Sequence, residues 1–384
     1  MKNTLVRVSF VVITVVVALG ITQMVGSTAE VDLDLSGTES SIELINTGEE
    51  FIITAGPVHL AVPMEMEGHA HEGVLVPIDS VTIPADVYLY GLSYEIVDAE
   101  GSQLPGEILH HFNLIDPASR ELFLPISRRL YAAGGETGEQ TMPWLLFGHP
   151  LHAGQQIVVS VMLHNPTGVE HEGVHLVIHL KYVKSGRPWP FFSIYPFQVD
   201  VAFPAGDKSF VLPRGISSQS WEGSPSVEGK LMIVGSHFHN YATSIVFEDV
   251  TEGEVIWEGF PVEESGELSG ATIGHLYRTG GTRIYPDHVY RATVYYDNPT
   301  DESITEGGMG VVAGAFSIDG DAEWPEVDPL DPLYLLDRAH FLREWRGTLE
   351  SLSEEGSDMD SMEHEEGHDM DAMNHAQGGH DMDR

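Results

Sequence analysis

The sequence predicts an all-β protein with two tandem domains, followed by a short C-terminal helix and a tail. Short apolar segments rich in β-branched residues alternate with turns that use many of the 40 glycines and 22 prolines, a pattern typical of β-structure. Three short motifs occur twice in the same order, which indicates an internal repeat. At 384 residues the chain is long enough for two domains and a tail.

The N-terminus predicts export from the cytoplasm. Lys2 and Arg7 precede an apolar run, and the small residues up to Ala29 suit signal peptidase. We therefore expect residues 1–29 to be a signal peptide and the protein to be secreted, periplasmic or at the cell surface. Because the run is long for a signal peptide and short for a membrane span, an uncleaved N-terminal anchor is the alternative.

Composition narrows the partners and the chemistry. The chain has 59 acidic and 18 basic residues, a formal charge of −41 and no cysteine. Nucleic acids and anionic membranes are bound by patches of Lys and Arg, so the charge argues against both as partners. The lack of cysteine excludes disulfides, thiolate metal ligands and a cysteine nucleophile.

The first domain, which we place at residues 40–200, contains several candidate metal-ligating histidines. His110 and His111 are adjacent in a predicted strand, so their side chains need a bulge or a strand end between them to share one metal. His164 follows a β-branched run, and His175 lies near the start of the next strand.

The second domain, which we place at residues 201–325, carries a His-x-His pair. His237 and His239 end an apolar strand, and their side chains point to the same face because strand side chains alternate. The pair is either a two-pronged metal clamp or two surface histidines. Met309 lies between glycines at the opening of the last apolar strand, a poor place for core packing; the glycines would let the backbone come close to a metal.

The repeat relates the two domains through three pairs of motifs. The pairs are His110-His111-Phe112-Asn113 with His237-Phe238-His239-Asn240, Asn165-Pro166-Thr167 with Asn298-Pro299-Thr300, and Glu172-Gly173-Val174-His175 with Glu306-Gly307-Gly308-Met309. The first and second motifs are 52 positions apart in one domain and 58 in the other, counted between their asparagines. In this alignment His175 takes the place of Met309.

Segments outside the two domains are also rich in possible metal ligands. A helix is expected at residues 331–352, since Asp331-Pro332 is a helix-start signal and leucines recur at helical spacing. The tail at 354–384 holds five Met and four His among acids, so we expect it to be disordered and to collect copper. The loop from Met64 to His71 has similar composition, and either a solvated loop or an auxiliary copper site explains it.

The ordered set of His110-His111, His164, His237-Phe238-His239 and Met309 resembles the copper ligands of the ascorbate-dependent type II copper monooxygenases. This is the family of peptidylglycine α-hydroxylating monooxygenase and dopamine β-monooxygenase, and the chain resembles a bacterial or archaeal type of member. The resemblance covers most of residues 106–316 and is carried by four short motifs. It implies two tandem jelly-roll-like β-sandwich domains with one copper ion in each.

The resemblance also implies roles for the ligands. A first copper, held by His110, His111 and a third histidine, would transfer electrons; His164 matches the family and His175 matches the repeat, so both remain open. The second copper would be held by the candidate catalytic residues His237, His239 and Met309. With ascorbate or another one-electron donor, such a site hydroxylates a C–H bond of a small-molecule substrate with O2.

Departures from the family pattern bear on the substrate. The peptidylglycine enzymes have an arginine two residues before the His-x-His, where this chain has Gly235. Their Asn and Tyr after the methionine are replaced by Val311 and Ala313. The substrate is therefore apolar or neutral, or catalysis is lost. The alternative function is a non-catalytic extracytoplasmic copper-handling protein, supplied by a copper donor protein; a plain jelly-roll interaction module would leave the histidines unexplained.

Overall fold

The structure is a computed structural model of the chain. It describes residues 33, 35, 37, 39–62, 74–135, 137–186, 190–202, 209–264, 267–320 and 322–339. The expected signal peptide at 1–29, the Met64–His71 loop, the end of the expected helix and the tail at 354–384 lie outside the described residues. Within the described part of the chain no helix is both long and apolar enough to cross a membrane.

The first half of the chain forms eleven strands among the described residues. They are β1 (Ser41–Asn46), β2 (Glu50–Leu60), β3 (Val74–Thr82), β4 (Val87–Val97), β5 (Leu109–Arg120), β6 (Ser127–Ala133), β7 (Gln140–Thr141), β8 (Phe147–Leu151), β9 (Gln156–Leu163), β10 (His171–Lys184) and β11 (Phe192–Ser193). A single 3-10 turn, Gly106–Ile108, precedes β5.

The second half of the chain forms twelve more strands in its described residues. They are β12 (Tyr195–Asp200), β13 (Phe210–Leu212), β14 (Gly215–Gly223), β15 (Gly229–Phe238), β16 (Ala242–Asp249), β17 (Glu254–Gly259), β18 (Pro261–Glu264), β19 (Glu267–Ala271), β20 (Thr282–Ile284), β21 (Tyr290–Asn298), β22 (Ile304–Gly308) and β23 (Gly310–Ile318). The 3-10 turn Leu276–Thr279 precedes β20.

The first sandwich is a jelly roll. Its larger sheet has the order β1-β2-β10-β4-β8-β11, with β7 pairing β4, and its smaller sheet has the order β3-β9-β5-β6. Without the short or peripheral β1, β7 and β11, these are eight strands in jelly-roll order. The two sheets enclose one core, because alternate residues such as Phe112, Val161 and Leu176 point inward and are fully buried.

The second sandwich repeats this order strand by strand. Its two main sheets are β12-β23-β15-β20 and β14-β21-β16-β17, and two short pairs, β13-β22 and β18-β19, lie beside them. Each main sheet matches a sheet of the first sandwich in order: β12, β23, β15 and β20 correspond to β2, β10, β4 and β8. Likewise β14, β21, β16 and β17 correspond to β3, β9, β5 and β6. The expected all-β fold of two tandem jelly-roll-like sandwiches is confirmed.

The junction between the sandwiches differs from the expected boundary at residue 200. Strand β12 pairs with β23 along its whole length, so it belongs to the second sandwich, although it was expected in the first. Conversely, Leu122–Ile126, from the first half of the chain, lies in the second core. Phe123 lies about 6 Å from three rings of that core, those of Phe197, Phe247 and Tyr290.

The predicted helix starts where expected, and residues 332–339 are helical. The Asp331 side chain accepts hydrogen bonds from the N–H groups of Leu333 and Tyr334, at 2.8 and 3.4 Å, as an N-cap does. Asp337 of this helix pairs with Arg129 of β6 at 2.6 Å, and both side chains are buried. The helix therefore binds back to the first sandwich across the junction.

Candidate metal centres

The first histidine cluster lies where β5 begins and β9 ends. The pairing of these strands shifts register between Leu109 and His111, so a bulge at His110 interrupts the alternation of side chains. The ring of His110 lies 5.0 Å from that of His111 and 5.3 Å from that of His164, measured between centroids. The bulge expected from adjacent histidines is present, and His164 joins the pair.

The nitrogen positions suit metal binding. The Nδ1 atoms of His110 and His111 are 2.8 Å apart. At this distance one Nδ1 donates a hydrogen bond to the other, so a shared ion would displace that proton and bind between the two nitrogens. His164 Nε2–H donates to the Glu107 carbonyl at 2.6 Å. Such a backbone acceptor is typical behind a ligating imidazole and makes Nδ1 the ligand nitrogen.

The three imidazoles do not yet close around a single point. Among described residues, only His59, Glu170 and Glu172 form a His and carboxylate group whose ligand atoms all lie within 4.8 Å of one another. His110 therefore contacts both other rings, but the full set is more open than that limit. All three can therefore reach one ion only if at least one imidazole moves from its position in this structure.

His175, the alternative third ligand, is held elsewhere. It lies in β10 opposite Val97 of β4, in the other sheet of the sandwich. Its Nδ1 pairs with the Gly173 carbonyl at 2.9 Å, and its ring lies against Gly56 so closely that a Cβ there would approach it to 2.8 Å. Burial lowers the pKa of His175, which favours a neutral core imidazole. The geometry favours His164.

The second cluster forms where β15 ends and β23 begins. These antiparallel strands pair His237 with Val311 and Phe238 with Gly310. If this register were continued one residue beyond the end of the ladder, His239 would lie opposite Met309. Opposite residues in an antiparallel pair point to the same face, so this register would give His237, His239 and Met309 one face, while Phe238 is buried in the core. The two imidazoles are 5.7 Å apart and perpendicular, with an interplanar angle of 89°.

A single tyrosine hydroxyl joins the two chain segments of this cluster. Tyr296 Oη accepts hydrogen bonds from the N–H groups of His239 at 3.2 Å and Met309 at 2.9 Å, and it donates to the Met309 carbonyl. The two nitrogens are thus no more than about 6 Å apart. Burial of Tyr296 raises the pKa of its hydroxyl, so it stays protonated and able to donate.

Backbone strain is concentrated at this second cluster. Tyr241 and Glu306 are the two non-glycine residues of the described chain with positive φ, at 70° and 53°. Tyr241 follows His239 by two positions, and Glu306 precedes Met309 by three. Such conformations are uncommon for residues with a side chain and tend to occur at functional sites.

The face that carries the second cluster is turned to the first sandwich. Further along the same face, Ile233 and Ala315 pack against Phe147 of β8 and Ile194. The candidate ligand side chains His237, His239 and Met309 are half-buried. The second cluster therefore opens toward the side on which the first sandwich lies.

The histidine pairs of the two domains are not equivalent, contrary to the expected alignment. Matching bulges interrupt β5-β9 between Leu109 and His111 and β16-β21 between Ala242 and Ser244. His164 N–H donates to Ile108 as Asp297 N–H donates to Tyr241. The counterparts of His110, His111 and His164 are therefore Thr243, Ser244 and Asp297. His237 and His239 precede this place, at the end of the previous strand.

The Asn-Pro-Thr motifs, by contrast, are equivalent. In each, the threonine N–H donates to the asparagine Oδ1, at 3.1 Å in the first domain and 3.0 Å in the second. The threonine Oγ1 donates to the same oxygen at 2.8 and 2.7 Å. Asn165 and Asn298 both direct Nδ2 to the carbonyl four residues later. This turn follows β9 and β21, and it fixes the structural alignment of the repeat.

Sequence reasoning missed two features. Tyr296 carries no signal of its own, because its role depends on hydrogen bonds across the core. The second is the exposed group of His59, Glu170 and Glu172. His59 pairs with Glu172 through Nδ1 at 2.8 Å and with Glu170 through Nε2 at 3.3 Å. The two carboxylates bind different nitrogens of the imidazole, and the three residues together form an exposed group that could hold a metal ion.

Comparison with known proteins adds no functional argument. No family model matches the chain, and no curated protein matches it. A chain from the atomic structure of Sulfolobus turreted icosahedral virus is 11% identical, with a TM-score of 0.33, over 78% of this chain and 99% of that one. A chain from an archaeal virus described as having a triple jelly roll fold is 11% identical, with a TM-score of 0.17, over 66% and 61%. One from infectious bursal disease virus is 9% identical, with a TM-score of 0.21, over 77% of each. At such TM-scores these likenesses carry no argument.

Proposed function

We propose that this protein is an extracytoplasmic copper-dependent monooxygenase with one copper site in each sandwich. The observation that carries the proposal is that the rings of His237 and His239 lie 5.7 Å apart at the end of the β15-β23 pair, while the Tyr296 hydroxyl binds the backbone of both His239 and Met309. The resemblance of the ordered ligand motifs to the type II copper monooxygenases supports it. So does the separate cluster of His110, His111 and His164 in the first sandwich.

The donor atoms suit copper. Imidazole binds both oxidation states of copper, and a thioether favours Cu(I). Thiolate ligands are absent, because the chain has no cysteine. When bound, copper would supply one-electron redox chemistry with O2 and a donor such as ascorbate. His110, His111 and His164 would hold one ion, and His237, His239 and Met309 the other.

The protein residues around the second site would position its ligands and shape the space for a substrate. Tyr296 holds the backbone of His239 and Met309. On the ligand face, the positions next to the histidines are Gly235, Val311 and Ala313, which bring no charge. An uncharged substrate with an accessible C–H bond fits such a surface better than a carboxylate.

The test is copper-dependent oxygen uptake. The full chain, loaded with copper and then treated with a competing chelator to remove weakly held ions, is expected to retain two equivalents. With ascorbate and a neutral organic substrate panel, uptake of O2 should exceed that of the metal-free protein. Retention of one equivalent or none would refute the two-site proposal.

Copper handling without turnover is the second candidate function. It is favoured by the five Met and four His of residues 354–384, a composition that suits copper collection. A copper donor protein would then be the partner. Tight binding of two copper ions with no ascorbate-dependent oxygen uptake on any substrate would support this candidate and exclude the first.

A further inference from the structure

The hydroxyl of Tyr296 is fully used at the second copper site. A tyrosine hydroxyl offers one donor and can accept two hydrogen bonds. All three are engaged here, by the N–H groups of His239 and Met309 and by the Met309 carbonyl. The N–H and C=O groups on either side of the Met309 Cα atom are therefore both held by one side chain.

Tyr296 reaches these groups from the opposite sheet. It lies in β21, which belongs to the sheet β14-β21-β16-β17, whereas His239 and Met309 continue β15 and β23 of the other sheet. Its ring is 1% exposed and fills the core at the open end of the sandwich. The ladder between β15 and β23 ends at Phe238 and Gly310, so beyond that point the hydroxyl replaces the missing ladder bonds.

We propose that Tyr296 is a positioning residue that holds the Met309 thioether at the copper site. This inference rests on the proposed function. Met309 lies between two ladders, because Gly308 is the last residue of the β13-β22 pair and Gly310 is the first residue of β23. It follows the positive φ of Glu306 and two glycines, residues with little intrinsic preference for one conformation. Without the hydroxyl, the Met309 backbone would lose both of its hydrogen bonds to Tyr296, and the thioether would lose its fixed position. Its counterpart in the first sandwich is Leu163, which has no hydroxyl, and the cluster there uses no methionine.

The test replaces Tyr296 by Phe, which keeps the ring and removes the hydroxyl. Copper K-edge absorption of the Cu(I) protein measures the shell of sulfur atoms around copper. The share of this shell that belongs to the second site is the share that is lost in Met309→Ile. In Tyr296→Phe this share should disappear while the imidazole shell remains. Cu(I) affinity at the second site should fall about 10- to 100-fold, the usual effect of losing a group that orients a ligand.

Tyr290→Phe is the matched control. Tyr290 lies in the same strand, is also 1% exposed, and its hydroxyl accepts a hydrogen bond from Tyr285 N–H at 3.0 Å. This variant loses a buried hydroxyl at the other end of β21 and should keep both the sulfur shell and the Cu(I) affinity. The melting temperatures of the two variants, measured by circular dichroism, should fall by similar amounts.

Each outcome decides the matter. If Tyr296→Phe keeps the sulfur shell and the affinity of the control, the hydroxyl is a core hydrogen bond and not a positioning group. If Tyr296→Phe unfolds while Tyr290→Phe does not, its role is structural and the inference is overturned. If the wild-type protein itself has no sulfur shell that Met309→Ile removes, the second copper site fails, and the role of Tyr296 fails with it for a different and recognisable reason.

Discussion

The two sandwiches share a strand order but place their histidines on opposite sheets. In the first, the cluster lies at the start of β5 and the end of β9; in the second, it lies at the end of β15 and the start of β23. Both places are at the end of the sandwich where corresponding strands β4–β5 and β15–β16 are connected. That end can therefore offer ligands from either sheet, and the two sites need not descend from one ancestral site.

Two aligned positions at the ends of β9 and β21 differ between the sandwiches, and they explain part of this difference. The positions occupied by Leu163 and His164 in the first sandwich are Tyr296 and Asp297 in the second. Tyr296 turns inward and binds the backbone of the other sheet, whereas His164 meets His110. The residues at these two positions therefore change together with the sheet that carries the histidine cluster.

The largest loss of stability should follow a substitution where a segment of the first half of the chain packs into the second core. Phe123→Ala removes a ring that belongs to the first half of the chain but lies in the second core. The free energy of unfolding should fall by about 3–5 kcal/mol. Hydrogen exchange should accelerate in β16 and β21 more than in β2 and β10. The control Phe191→Ala, at a side chain that is 67% exposed, should change stability by less than about 0.5 kcal/mol.

Acidic pH should weaken the same junction. Burial, together with the nearby charge of Arg128, lowers the pKa of His149 from 6.5 to about 4. Between these values the unfolded chain binds a proton that the folded protein does not, so stability is complete above about pH 6.5 and falls as the pH drops to about 4. This loss is about 3 kcal/mol. Denaturant unfolding across this range should show it.

His149→Gln removes this titration and should flatten the pH dependence of stability in that range. The exposed His152, whose side chain is 76% accessible, provides the control. If His152→Gln flattens the profile as much as His149→Gln, the assignment to His149 is wrong.

Removal of a ligand should affect one site and spare the other. Met309→Ile keeps the apolar bulk, so the fold should persist, while Cu(I) affinity at the second site should fall by at least about 10- to 100-fold. Chelator competition should show the three-histidine site unchanged. Met232→Ile, a buried methionine away from the ligands, serves as the control. Equal losses at both sites would show that they are coupled.

The smallest effect should be the same in both halves. Asn165→Ala and Asn298→Ala each remove a buried side chain that satisfies nearby backbone carbonyls. Each should lower the free energy of unfolding by about 1–2 kcal/mol, measured by denaturant unfolding. A cost confined to one domain would contradict the structural equivalence of the two turns.

Local sequence patterns predicted the all-β fold and several features of the two histidine clusters. Features that depend on which strands pair could not be predicted from them. The alternation of side chains placed His237 and His239 on one face, and adjacent histidines required the bulge found at His110. The histidine motifs were misaligned because the connection before β5 runs from 98 to 108, whereas that before β16 is only 239–241. Such lengths are invisible until strand pairing is known.

The role of Tyr296 and the boundary near β12 had no local signal. The role of Tyr296 depends on a hydrogen bond across the core. The boundary depends on which sandwich pairs with β12, and the sequence pattern of β12 suits either one. The choice between His164 and His175 was open for the same reason. It required knowing that β9 pairs with β5 while β10 belongs to the other sheet.

The ion pair between Arg129 and Asp337 spans 208 positions of the chain, and this has a consequence for the order of folding during synthesis. The first sandwich can close its own core once β10 has left the ribosome. Until the second sandwich and its helix are synthesised, solvent remains in contact with Leu122–Ile126 and with the side chain of Arg129. Nascent chains stalled between β11 and β23 would therefore display an apolar segment and a cation whose partner Asp337 has not yet been made, and chaperones should bind them there.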